Sequence, residues 1–564
     1  MSSYLLKKDL KYTPRPEQEE ALEYIKEQFE KNSDIMKFFM MDLPVGVGKS
    51  YFAFMFMDWY LKNINKSARF DVLTNSRILQ EQYVQDFDSI SNLWGKNNYQ
   101  CNSYDCSCLE GKEFNKLNKT KCDNCPYDAA RDGYIKDRIN LSNFHLYTLL
   151  NIYNEDMMSQ RESNVLIIDE AHDFEQILSD FISINLSEST MKSIGFGNYK
   201  SIGKSIKMIN TIDDFVDFTD NLKNEIDITK ADLKTQLLSS SGGKKSDNRD
   251  LRLGKLLGGS NTSIKLMKKF SELESMETKL TNFLEDYKKR PENWVLEYSF
   301  GENKDKKLSI QPVWAAPYLD QYIWSKYDHV ILMSGTILNK NLFAYINGIP
   351  DSQSCYYSIG SPFLTKNRPI YYMPVARMTF KNKDNAFSHY KPFIEKLMTK
   401  YKRKKGIFHT VTYEIADWMS ENIKDSRFIF HGSDDKDKAL KKHYELEDEA
   451  TVLVSPSMGT GVNLEYDRAR FQVLLKVPYP SLGSKKNKIR QQMMPEWYTW
   501  RTIAGIIQAY GRAIRSYDDT SDFIILDGCF SDIMKYSSDW LPTYFTDAIR
   551  TVDVNKLRLQ IQNG

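Results

Sequence analysis

The sequence predicts an α/β protein of two parallel-sheet domains, the first interrupted by two insertions. Three observations predict it. Short apolar runs rich in β-branched or aromatic residues alternate with helix-length segments, and they fall into two groups around residue 350. The first group is broken by a polar stretch holding five of the seven cysteines, and again by a long charged helical stretch. The chain has 564 residues, too many for one hydrophobic core, so two to four domains are expected.

In chain order the apolar runs are Met36–Met41, Phe70–Leu73, Val165–Ile168 and Val330–Met333, then Ile407–His409, Phe428–Phe430, Val452–Val454, Val473–Leu475 and Phe523–Leu526. Each is short enough for a strand and is followed by a helix-length segment. Residues 95–130 carry the cysteines and show little periodicity. Residues 185–300 read as helices with charged faces, and the stretch 239–250 (SSSGGKKSDNRD) reads as a loop by composition. No repeat of solenoid length is present.

Composition sets the broad class. A hydrophobic share of 41% suits a globular chain, and no apolar run approaches a bilayer span. The opening MSSYLLKKDLKYTPRPEQ lacks the features of a signal peptide, so a cytoplasmic protein is expected. Basic and acidic residues nearly cancel, 77 against 75, for a net charge of +2. Any nucleic acid must therefore be held by local basic tracks rather than by a global field.

Leu43-Pro-Val-Gly-Val-Gly-Lys-Ser50 follows the run FFMMD and precedes a helical segment, the strand–loop–helix context of a phosphate loop. Gly46 and Gly48 let backbone N–H groups close on phosphate oxygens. Lys49 supplies a cation to the β- and γ-phosphates, and Ser50 a hydroxyl to Mg²⁺. Leu43 stands where the strict pattern has glycine. Val165-Leu-Ile-Ile-Asp-Glu-Ala-His172 ends an apolar strand in two carboxylates. Asp169 suits the Mg²⁺ shell, and Glu170 suits the orientation and deprotonation of an attacking water. His172 can couple this site to a nucleic-acid side. Gln508-Ala-Tyr-Gly-Arg-Ala-Ile-Arg515 places Arg512 and Arg515 three residues apart, on one face of a helix, as fixed cations for transition-state charge. Each motif alone has a bland reading, such as a glycine turn, a solvated acidic turn or a basic helix end. Together they point to ATP hydrolysis.

The cysteine spacing is Cys101-x4-Cys106-x-Cys108-x13-Cys122-x2-Cys125. Such a cluster in a long chain reads as metal ligation rather than a disulfide framework. Four thiolates can hold a [4Fe–4S] cluster or Zn²⁺, and the spacing fits both. Cys106 and Cys108 compete for one position, with Cys108 favoured. Two basic runs, Lys402–Lys405 and Lys485–Arg490, can track a strand, the second with Trp497, Tyr498 and Trp500 nearby for stacking. The alternative is a solvated face, with Trp497 and Trp500 in a core.

These motifs, with Ser334-Gly-Thr336 after the strand VILM, resemble superfamily 2 helicases in order and spacing. The cysteine insertion ending in Cys125-Pro-Tyr127, the long insertion before Ser334 and Ser455-Pro-Ser-Met-Gly-Thr-Gly-Val-Asn-Leu464 resemble the XPD/DinG-like iron–sulfur branch. Arg15-Pro-Glu-Gln18 resembles its N-terminal glutamine motif. The resemblance implies two RecA-like motor domains, with a metal-cluster insertion and a helical arch-like insertion in the first. Domain 1 would comprise 1–94, 131–184 and 301–348, the cluster insertion 95–130, the arch 185–300 and the second motor 349–564. It implies that Gln18 contacts adenine, that Thr74 and Asn75 touch the DNA backbone, and that Ser334 and Thr336 link hydrolysis to motion together with His172 and Gln508. Gly461, Arg512 and Arg515 would complete the ATP site. It favours [4Fe–4S] over Zn²⁺. It further implies a monomeric helicase acting on single-stranded or forked DNA, 5′ to 3′, in replication, repair or recombination. Two other readings stay open: a nucleic-acid-stimulated ATPase that remodels protein–DNA complexes or acts on RNA, and a zinc-bearing nucleotide-binding scaffold with no motor.

Overall fold

The computed structural model describes residues 12–32, 35–104, 106–118, 120–241, 259–300, 306–458 and 462–555. Gly461 therefore lies outside the described residues, as does most of the 239–250 stretch.

The first motor is built on seven parallel strands. In chain order they are β1 (Phe38–Asp42), β2 (Phe70–Thr74), β3 (Ile90–Asn92), β4 (Ile139–Asn143), β5 (Val165–Asp169), β9 (His329–Ser334) and β10 (Ser354–Ser358), arranged β10-β1-β9-β5-β2-β4-β3. Every residue of β1, β2 and β5 is buried, because helices cover both sheet faces. That is why these strands read as unbroken apolar runs. One face packs on the core around Phe39, Met41, Phe52 and Phe56, the other on the core around Phe38, Leu166, Phe174 and Leu332. β10 lies beyond the expected boundary at residue 348 yet pairs with β1 from Phe38–Ser354 to Asp42–Ser358. The first sheet thus runs ten residues further than the sequence suggested, since SCYYS carries little apolar signal.

Between β5 and β9 the chain leaves the sheet. Two long helices, Ile212–Ser241 and Gly259–Tyr287, run antiparallel, with Phe215 against Phe283 at one end and Lys230 against Phe270 further along. The expected helical arch also contains strands. β6 (Ile184–Leu186), β7 (Trp294–Phe300) and β8 (Lys306–Pro312) form a small antiparallel sheet in the order β6-β8-β7, so residues assigned to the returning motor domain belong to this sheet. Among the described residues no helix is long and apolar enough to cross a membrane.

The second motor repeats the plan: β11 (Ile370–Ala376), β12 (Gly406–His409), β13 (Phe428–Phe430), β14 (Val452–Ser455), β15 (Phe471–Leu474), β16 (Asp522–Asp527) and β17 (Ile549–Thr551), all parallel, in the order β13-β14-β12-β15-β16-β11-β17.

Candidate active site

The loop after β1 turns through two glycines in the left-handed region, Gly46 at φ 88° and Gly48 at φ 89°, and opens the helix Lys49–Asn63. Glycine is required at Gly46 twice over, because a Cβ there would also lie 2.4 Å from the Phe363 ring. Helix dipole and free N–H groups make this turn an anion site. Gln18 is 1% exposed, and its amide is spent on the protein. Nε2 donates to the Val47 and Gly48 carbonyls, both at 2.9 Å, while Oε1 accepts from Arg15 N and the Tyr12 hydroxyl. Gln18 braces the phosphate loop. Arg15 assists by donating to the Gly46 carbonyl, and its guanidinium lies 5.3 Å from the Tyr517 ring of the second motor.

Lys49 Nζ reaches Glu170 Oε1 at 3.1 Å, with both side chains largely buried. Asp169 accepts from the Tyr83 hydroxyl at 3.2 Å and from the Glu170 amide at 3.0 Å. Burial pushes the Asp169 carboxyl up to about 6 against the pull of Lys49. Burial acts the same way on Glu170, but Lys49, His172 and Arg512 together hold it down to about 2. The two adjacent carboxyls are thus driven apart, which suits one to metal and the other to water. Glu170 itself sits at φ 59°, a left-handed conformation that side chains seldom adopt and that gathers at active sites. Asp42, at the end of β1, went unremarked in the sequence. It is buried, with its carboxyl pushed up to about 6 by desolvation, and it accepts from the Leu338 amide and the Tyr356 hydroxyl.

A chain of polar contacts leads from this pair across the cleft, hydrogen-bonded from His172 onward. His172 Nδ1 lies 3.4 Å from Glu170 Oε2 and 2.9 Å from Ser334 Oγ. Ser334 Oγ is 3.1 Å from Thr336 Oγ1, which accepts from Gln508 Nε2 at 3.2 Å. Gln508 Oε1 accepts from Arg512. Burial lowers the His172 pKa, against the pull of Asp173 and Glu170. Arg512 is further fixed by the Gln508 and Val462 carbonyls. Arg515 Nε is buried and makes no hydrogen bond, and the carboxylates acting on this guanidinium are Glu170, Glu465 and Asp169.

On the expected nucleic-acid side, Thr74 is fully buried and its hydroxyl donates to the Ser76 carbonyl at 3.0 Å, so it serves the turn rather than a ligand. Asn75 is partly exposed and donates to Asp173 Oδ2 at 3.3 Å. The second motor repeats this turn. Thr410 donates to the Thr412 carbonyl at 3.1 Å, and Thr412 caps the next helix as Ser76 does in the first motor. Val411 between them is held at φ 66°, an outlier for a β-branched residue. The repeat was invisible in the sequence because the two loops share only Thr410 with Thr74.

The second basic run follows the alternative reading, with its two tryptophans in a core. Lys486 and Arg490 are buried, and so are Trp497 and Trp500. Lys486 donates to Ser179 Oγ. Arg490 donates to Glu175 Oε1 at 2.7 Å and to the Val313 carbonyl at 2.6 Å, between the rings of Trp314 and Trp497. The run staples the second motor to the helix Phe174–Ile182, which follows the DEAH box. In the other run Lys402–Lys404 are exposed, but Lys405 is buried against the His443 carbonyl.

The five cysteines share one module around the helices Cys108–Asn118 and Pro126–Lys136. The sulfurs of Cys101 and Cys122 are 3.8 Å apart and those of Cys108 and Cys125 4.0 Å, while Cys106 lies beside Cys101. A Cβ on Gly111 would come within 2.5 Å of the Cys101 sulfur, so glycine keeps the space around the thiols clear. Among the described residues no three Cys, His, Asp or Glu side chains gather tightly enough to hold one metal ion. The soft donor set suits either Zn²⁺ or an iron–sulfur group, since both are held by cysteine thiolates.

Comparison with known proteins follows this geometry. The family model for the type III restriction enzyme res subunit matches residues 11–216, and that for a helicase C-terminal domain matches 395–544. The ATP-dependent DNA helicase CHL1 of Vanderwaltozyma polyspora is 23% identical over 489 residues, 74% of this chain. The chain spans 58% of that relative's length. Among solved structures, an XPD helicase matches with TM-score 0.59 at 15% identity, over 96% of this chain and 100% of that one. An XPD in its apo form matches with TM-score 0.56 at 16% identity over 95% and 99%, and Xpd4 of S. tokodaii with 0.54 at 12% over 96% and 100%. Two motor halves matched in order and a fold shared along nearly the whole chain converge: this chain has the fold of the XPD helicases and resembles the ATP-dependent DNA helicase CHL1 in sequence.

Proposed function

We propose that the protein is an ATP-dependent DNA helicase that translocates 5′ to 3′ on single-stranded DNA. The observation that carries this reading is the chain Glu170–His172–Ser334–Thr336–Gln508–Arg512. A nucleotide-binding scaffold needs no such link between a water-activating carboxylate on one domain and transition-state cations on another.

In this reading Lys49 leaves Glu170 for the β- and γ-phosphates when ATP enters, and Ser50 and Asp169 take Mg²⁺. Glu170, released by Lys49, then orients and deprotonates water. Arg515, whose Nε has no hydrogen-bond partner, and Arg512 meet the charge that develops on the γ-phosphate. Gln508 and Thr336 pass the loss of that charge to the second motor. Asn75 and the matching turn at Thr410–Thr412 are the gripping points for the strand, one on each motor. Four of Cys101, Cys106, Cys108, Cys122 and Cys125 would hold a [4Fe–4S] cluster, which supplies a cross-link to a module too polar to build its own core. Cys108 is favoured over Cys106 by its contact with Cys125.

ATP turnover measured with and without single-stranded DNA tests the proposal, with Lys49→Ala as control. Stimulation by the strand and its loss in the variant are expected. Turnover indifferent to DNA would overturn the motor reading.

A further inference from the structure

Behind the DEAH box, on the side away from the phosphate loop, lies a cavity of about 470 Å³ between the two motors. His172, Asp173 and Gln176 line it from the first motor, and Lys486, Arg501 and Gln508 from the second. Its size falls in the range of pockets that hold small ligands, far short of a duplex. Its charged walls are two cations and one carboxylate, so they favour an anion.

Three details show what it is built to sense. His172 is 6% exposed, yet its Nε2 makes no hydrogen bond and lies 3.5 Å from Asp173 Oδ1. Asp173 is a hub: it accepts from Asn75 Nδ2 at 3.3 Å, faces His172, and pairs with Arg501 at 3.5 Å. The Arg501 pair is long and the arginine 34% exposed, so exchanging that partner for another anion costs little. Glu175 is occupied by Arg490, so it does not compete for Arg501. A planar guanidinium is the side chain suited to bidentate phosphate contact.

We propose that this cavity seats one nucleotide of the tracked single strand, its phosphodiester on Arg501, and that seating it draws Arg501 off Asp173, leaving His172 and Asn75 as the partners of that carboxylate. The strand then reports directly to the histidine that touches Glu170 and Ser334. DNA stimulation of ATP turnover follows from this relay. The inference rests on the strand-tracking function proposed above.

The test measures binding of a fluorescent oligo(dT) across a salt series, together with the ratio of DNA-stimulated to basal ATP turnover. Arg501→Ala is expected to raise the DNA Kd about tenfold, the worth of one charge-assisted hydrogen bond. It is also expected to flatten the slope of log Kd against log salt by about 1 and to lower the stimulation ratio. Arg501→Lys keeps the slope, because it keeps the charge. Gln176→Glu, which adds an anion to the cavity wall, also weakens binding and covers the case in which Arg501→Ala fails to fold. An unchanged slope in Arg501→Ala, or unchanged Kd in Gln176→Glu, overturns the inference. So does inhibition by inorganic phosphate with the slope intact, since the cavity would then take free anion rather than the strand. A wild-type protein that binds no oligo(dT) refutes the proposed function instead.

Discussion

Arg490 offers the sharpest energetic test of how the two motors are joined. Its guanidinium is 1% exposed, donates to Glu175 and the Val313 carbonyl, and lies 4.5 Å and 5.2 Å from the Trp314 and Trp497 rings. In Arg490→Met the Glu175 carboxylate stays buried, with the Ala315 amide at 2.9 Å as its remaining donor. Removing one partner of a buried pair costs about 3–5 kcal/mol, and the lost cation–π contacts add about 1 kcal/mol. Replacing both partners, Arg490→Met with Glu175→Leu, removes the stranded charge and recovers most of that cost. At roughly 2–4 °C per kcal/mol, the single variant lowers the melting midpoint by roughly 8–24 °C. Thermal melting followed by tryptophan fluorescence reads it, since Trp314 and Trp497 flank the site. A single variant within about 2 °C of wild type, or a double variant below both singles, refutes the reasoning.

Three further outcomes follow from the site. Arg515→Ala lowers kcat far more than ATP affinity, by roughly 10³ or more, as expected of an interaction made in the transition state; steady-state kinetics with a separate nucleotide-binding measurement checks it, and a loss confined to affinity contradicts it. Mg²⁺ affinity weakens as pH falls through about 6, because the burial that raises the Asp169 carboxyl lets protons compete with metal there while Glu170, held near 2, stays ionised. Flat Mg²⁺ affinity from pH 5 to 7, measured by titration, would show that Asp169 is not the ligand. Protein purified without oxygen contains iron and acid-labile sulfide, and elemental analysis that finds zinc without iron favours the single-ion alternative.

The parts of this fold that are legible in sequence are those whose burial is local and complete. β1, β2 and β5 announce themselves because both faces are covered, and the phosphate loop because its left-handed turns need Gly46 and Gly48. Edge strands do not. β3, with no residue fully buried, and β10, with its polar outer end, carry weak apolar patterns. The boundary between motors was therefore set too early, and the small sheet at the arch was read as helix. Long-range pairings were the other blind spot. Lys486 and Arg490 stand i, i+4 on one helix, and Ser179 and Glu175 stand i, i+4 on another about 300 residues away. A basic run near tryptophans gives no hint of such a partner, so the sequence leaves a strand track and a core side by side. Gln18 was placed in the right site, but only the geometry shows its amide consumed by the loop.

The central claim, a motor that converts ATP hydrolysis into strand separation, is tested most directly by unwinding of forked DNA with a single-stranded tail of either polarity, measured beside ATP turnover in wild type and Cys125→Ser. The account predicts unwinding from a 5′ tail only, and a Cys125→Ser protein that keeps much of its DNA-stimulated turnover while losing strand separation. Unwinding from a 3′ tail, or equal loss of both activities in the variant, would contradict it.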